Sequence, residues 1–133
     1  MLTNAAIMAF LATTDADRAK KFYGDVLGLR FVEDSPFALV FDAGGTMLRI
    51  QKIKELDPPQ FTALGWNVAD IRGTIGDLVK RGVTFERFSE RYAFMQQDDV
   101  GIWTTPDGSQ VAWFKDPDGY TLSLTQLSVA GRS

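Results

Sequence analysis

Two acidic pairs, one aromatic-rich segment and a scatter of hydroxyls are the groups with which this chain could do chemistry, because it contains neither histidine nor cysteine. The absence of both removes the imidazole base, the Ser-His-Asp triad, thiolate catalysis, disulfides and the commonest ligands for zinc, nickel and non-haem iron. The pair Asp116 and Asp118 belongs to an Asp-Pro-Asp-Gly sequence, where proline fixes φ early and Gly119 accepts positive φ, so turn formation accounts for both carboxylates. Asp98-Asp99, with Glu90, could meet a cation, but the segment reads as an exposed loop. No nucleophile and base are spaced as a pair. Tyr92, Phe94, Met95 and Trp103 fall together within residues 90–109. Apolar content of this kind in a long connection points to a pocket wall, with a hairpin extension over a sheet edge as the alternative.

Placing such groups together requires a scaffold, and the scaffold is written twice. The stretch MAFLATTDADRAKKFYGDVLGLRF, from Met8 to Phe31, is echoed by ALGWNVADIRGTIGDLVKRGVTF, from Ala63 to Phe85, and VFDAGGTMLRIQ is echoed by FKDPDGYTLSLT. In the first copy, residues 7–13 alternate as a strand and Asp15 can cap a helix running to about residue 27, which Gly28 ends. Strands are predicted over 29–33, 38–42 and 46–53, the last two joined at Ala43-Gly44-Gly45. The second copy predicts a strand over 62–68, a helix from Asp70 to about residue 81 ending at Gly82, and strands over 83–88, 110–115 and 120–126. Gly73 and Gly76 weaken the second helix, so Ile71, Ile75, Leu78 and Val79 must hold it by packing. Asp15 matches Asp70 at an offset of 55, whereas Asp42 matches Asp116 at 74, which leaves about twenty extra residues in the second copy.

These readings give an α+β domain over residues 1–133: a βαβββ module at 5–53, a linker at 54–60 and a second module at 61–128. An apolar content of 45% suits an ordinary globular core. The apolar run at 5–12 is too short to span a bilayer, and no lysine or arginine precedes it, so the expected location is cytoplasmic and no membrane partner is expected. A net charge of −3 without a basic stripe argues against nucleic acid.

The repeated module, the FYGDVLGLRF helix end and VAWFKDPDGYTLSL resemble the vicinal oxygen chelate superfamily, which includes glyoxalase I, extradiol dioxygenases, fosfomycin-resistance proteins and bleomycin-binding resistance proteins. The resemblance covers nearly the whole chain. It implies two tandem βαβββ modules forming a rolled, mixed eight-stranded sheet with a concave cavity and the helices outside. It also implies a divalent ion held by the first and last strands of each module. The matching positions here are Met8, Arg49, Ala63 and Ser123. A thioether is too soft, a guanidinium repels a cation, alanine offers no donor and serine is a weak neutral ligand, so no metal and no cofactor are expected. A two-residue shift along the face reaches Phe10, Gln51, Gly65 and Thr125, which also lack a carboxylate.

If those four positions face the cavity, alternation puts Phe10, Met47, Gln51, Gly65, Asn67, Thr121 and Thr125 beside them, and Leu48, Ile50, Leu64, Trp66, Leu122 and Leu124 under the helices. The family pattern adds Trp113 to the concave face. The implied binding candidates are Met8, Phe10, Arg49, Gln51, Tyr92, Phe94, Trp103, Trp113, Thr121 and Ser123, with no catalytic residue. This mixture suits a small, flat, partly apolar molecule held by a homodimeric, metal-independent binding protein. The alternative is an enzyme of the same fold, a lyase, isomerase or dioxygenase-like protein, with Arg49 as electrophile and Glu90 or Asp99 as base. A third reading has the cavity filled and the protein acting through its dimer surface.

Overall fold

The computed structural model describes residues 1–88 and 95–128. Contacts divide the chain into two compact units, Met1–Pro58 and a second that begins at Pro59. In the first unit, β1 (Met8–Thr13) leads to α1 (Ala16–Lys20), followed by β2 (Arg30–Asp34), β3 (Ala38–Ala43) and β4 (Thr46–Lys52). In the second, β5 (Thr62–Asn67) and α2 (Ile71–Lys80) precede β6 (Trp103–Thr104), β7 (Gln110–Lys115) and β8 (Thr121–Gln126). Each unit builds a mixed four-stranded sheet, in the orders β1-β4-β3-β2 and β5-β8-β7-β6, and neither closes into a barrel. The α+β class with two βαβββ modules is thus realised as four strands and four strands.

The repeat persists in local geometry. Asp15 and Asp70 both sit extended, at φ −143° and −136°, and each carboxylate accepts from the amide three residues on, at 3.1 Å in both cases. An aspartate at this position satisfies a backbone donor that the helix itself cannot. Gly73 has a use that propensity alone does not reveal: a β-carbon there would collide with the Asp70 carboxylate. Ile71, Ile75 and Leu78 are buried and supply the packing that the glycine-weakened helix needs. Gly28 and Gly82, both at positive φ, end the two helices as the sequence predicts.

Two expectations are corrected. The first helix does not continue as α to residue 27; after Lys20 it becomes a π-helical turn, Lys21–Val26, in which the Leu27 amide donates to the Phe22 carbonyl. Such a turn inserts one residue into the helix and re-aims the side chains that follow. Residues 83–88 do not form a strand: only Phe85 bridges to Phe114, and the Glu86 amide donates to the Trp113 carbonyl. The remaining edge of β7 is taken by Trp103–Thr104, paired with Val111 and Gln110, so the extra residues of the second copy supply the edge strand. Ala63 interrupts the register of its strand. It is the surplus residue of a bulge between Thr62 and Leu64, and the residue opposite Ser123 is Gly65.

Burial alternates on β4, where Leu48 and Ile50 are buried between more exposed neighbours, and on β7, where Ala112 and Phe114 are; on β8 Thr121–Leu124 are all buried. Trp66 stacks on Phe114 with ring centroids 6.4 Å apart, which makes it a packing residue. Among the described residues no helix is long and apolar enough to cross a membrane.

Candidate functional site

In the second unit, strand register brings a set of rings and hydroxyls onto one face. Trp113 on β7 and Gly65 on β5 both pair with Ser123 on β8, and Thr125 lies between Asn67 and Val111, which in turn pairs with Trp103. The indoles of Trp103 and Trp113 stack with centroids 6.2 Å apart and planes 28° from parallel. Phe88 meets Trp113 edge-on at 5.4 Å. Offset stacks and edge contacts of this kind are the favoured arrangements of aromatic quadrupoles, worth about 0.5–1.5 kcal/mol per pair beyond area burial. The inserted segment thus takes the sheet-edge role through Trp103–Thr104, and its Trp103 ring stacks on Trp113.

Polar groups fix the wall. The Trp113 indole Nε1–H donates to Thr62 Oγ1 at 3.1 Å, and Lys115 Nζ donates to Thr121 Oγ1 at 2.8 Å. Thr121 and Ser123 are only 4% and 7% exposed, so both hydroxyls are buried. Gly65 permits the arrangement: a β-carbon there would stand 2.5 Å from Ser123 Oγ. A strand glycine marking close approach of a neighbour is its usual positional meaning.

Gln97 carries no signal in the sequence, yet it organises this end of the unit. Its Oε1 accepts from the Phe88 amide, and its Nε2 donates to the carbonyls of Glu86 at 3.0 Å and Gly101 at 2.9 Å. Its backbone also bridges to Trp103. One side chain thus substitutes for the ladder that residues 83–88 lack, and it ties together the segments carrying both outer rings. Arg87 joins the same anchorage by donating to the carbonyls of Asp98 and Asp99. Asp98 accepts from the amides of Val100 and Ile102 and pairs with Arg72, whose guanidinium also lies 3.9 Å from Asp99. These carboxylates hold a loop in shape. Asp116 does the same for its turn, accepting from the amides of Asp118 and Tyr120 at 3.0 and 2.9 Å.

In the first unit, Met8, Phe10, Met47, Arg49 and Gln51 share the face opposite Leu48 and Ile50. Met8 pairs with Met47 and Phe10 with Arg49 across β1 and β4. Met8, Phe10 and Met47 are 47%, 54% and 42% exposed, so they are not closed packing. Tyr92, Phe94 and Glu90 lie outside the described residues.

The donor chemistry at the four positions implied by the resemblance does not fit a divalent ion. Met8 offers a thioether, Arg49 a cation, Ala63 nothing, and Ser123 a buried neutral hydroxyl. Among the described residues no three acidic side chains gather as a ligand set.

No curated protein matches the chain in sequence. Solved structures match along nearly its whole length. TnmS3, an antibiotic binding protein from Streptomyces sp. CB03234, superposes with a TM-score of 0.73 at 23% identity, over 96% of this chain and 99% of that one. A member of the glyoxalase, bleomycin resistance and dioxygenase superfamily from Sphaerobacter thermophilus DSM 20745 gives 0.72 at 22%, over 96% and 100%. Lactoylglutathione lyase from Agrobacterium tumefaciens gives 0.70 at 20%, over 93% and 95%. At these identities the likeness is one of fold. The family model for the Glyoxalase/Bleomycin resistance protein/Dioxygenase superfamily matches residues 5–124, and the chain belongs to that family.

Proposed function

We propose that this protein binds a small, flat, partly apolar molecule, of the metabolite or antibiotic class, without a metal ion and without chemical change. The observation that carries the reading is the aromatic wall of the second unit, in which Phe88, Trp113 and Trp103 stand side by side on one sheet face. Rings presented in this way stack on a planar ligand at low entropic cost, because each side chain has only two rotatable bonds to order. The non-ligand chemistry at Met8, Arg49, Ala63 and Ser123 supports metal independence. The superfamily fold hosts binding as well as catalysis, as the antibiotic binding protein TnmS3 and lactoylglutathione lyase illustrate. A homodimer in the cytoplasm belongs to the same reading.

A thermal-shift screen with aromatic metabolites and antibiotics tests it. A ligand at a hundred times its Kd adds about 2.7 kcal/mol to native stability. Hits should quench tryptophan fluorescence, and Trp113→Leu should remove their effect on melting temperature. A library without a single saturable, tryptophan-dependent hit contradicts the proposal.

A further inference from the structure

Arg49 differs from the other described cations of its sheet. Arg30 pairs with Asp42 at 3.1 Å, and Lys52 pairs with Asp34. Arg49, on the inner strand β4, makes no hydrogen bond or ion pair among the described residues. Its strand register places it between Phe10 on β1 and the buried Val40 on β3. Its same-face neighbours along the strand are Met47 and Gln51. Glu33, beyond Val40 in the same row, lies two strands away, roughly 10 Å by ordinary sheet spacing, and Asp42, diagonal to Arg49 across β3, is engaged by Arg30 and the Gly45 amide. Arg49 as a residue is half-buried, and Phe10, Met47 and Gln51 beside it on this face carry no charge.

We infer that this face of the first unit is a subsite for an aromatic anion, with Arg49 taking the negative group and Phe10, Met8 and Met47 taking the ring. Charge complementarity selects this occupant over a neutral one. A planar guanidinium offers a two-pronged donor set matched to carboxylate, and a partly desolvated setting strengthens the pair. Thioether and ring surface left open on the same face suit an aromatic body. The assignment deepens the binding reading proposed above by naming the ligand class, yet it rests on residues of the first unit alone. It also explains why the position implied for a metal ligand carries a cation: an anion is received there directly.

Naphthoate and naphthamide, which share a ring system and differ in charge, provide the test. Both are titrated into isotope-labelled protein and followed by NMR through backbone amides and the indole N–H groups. Naphthoate should shift amides of β1 and β4, including those of Phe10 and Arg49, and bind about 10-fold more tightly there than naphthamide, as expected for a charge-assisted pair. Arg49→Gln should bring the two affinities together by weakening naphthoate the more, and Arg49→Lys should keep part of the preference. Equal affinities in the wild type, a preference that survives Arg49→Gln, or shifts confined to other strands would each overturn the assignment. So would a dimer broken by Met47→Asp with naphthoate binding untouched, because the face would then belong to a second copy. The general reading fails separately, if Trp113→Leu leaves the indole shifts and affinities of both compounds unaltered.

Discussion

Gly65 and Ser123 show how a single atom sets the local geometry. A methyl group added at Gly65 would lie 2.5 Å from the Ser123 hydroxyl oxygen, so Gly65→Ala must push that hydroxyl aside. Overpacking of this size costs about 1–3 kcal/mol, and denaturant midpoints should register it. Ser123→Ala in the same chain removes the obstructing oxygen and should restore most of the loss; additive effects would contradict the account. Residues of this kind are only partly legible in a sequence. Alternation puts Gly65 and Ser123 on one face, but it does not announce the bulge at Ala63, because a bulge leaves the hydrophobic pattern intact while shifting the register. Trp66 and Trp113 separate cleanly, since successive strand residues must face opposite ways.

At the scale of elements, local chemistry is readable and distant substitution is not. The aspartate caps, the glycine stops and the Asp116 turn act within a few residues of themselves, and the structure keeps all of them. The π-helical turn and the lost strand at residues 83–88 depend on other parts of the chain. Gln97 reaches eleven residues back to Glu86, and no spacing rule announces that. Gln97→Ala should take a partner from part-buried backbone groups of Glu86, Phe88 and Gly101, at up to about 1 kcal/mol for each, and should disturb the near-UV circular dichroism of the Trp103–Trp113 pair. A variant with unchanged stability and unchanged aromatic signal would show that Gln97 positions nothing.

The β3–β4 hairpin carries a pH signature. The Gly45 amide, and after it Arg30, hold the Asp42 carboxyl below its ordinary value. The unfolded chain titrates Asp near about 3.9, so this group's stabilisation is fully present above that pH and is lost as pH falls through the lower native value. Asp107, held low by the Thr105 hydroxyl and then the Ser109 amide, contributes with the same sign in the second unit. Asp42→Asn should therefore flatten the acid limb of the stability curve without abolishing it. Urea midpoints measured across the acid range decide this, and an unchanged limb would contradict it.

For the whole molecule, duplication supplies two sheets of the same strand order with different open faces. The first carries Arg49 among Met8, Phe10 and Met47, and the second carries Phe88, Trp113 and Trp103. The family is legible because the repeat and the Asp-Pro-Asp-Gly turn are local patterns. Where the residues at the implied metal-ligand positions stand has to be read from register and burial. The central claim, ligand binding without a metal, is tested most directly by titrating naphthamide into chelator-stripped protein and into the same protein supplied with nickel, zinc or manganese. The account predicts one dissociation constant under all conditions. Binding that appears only with a divalent ion would contradict it.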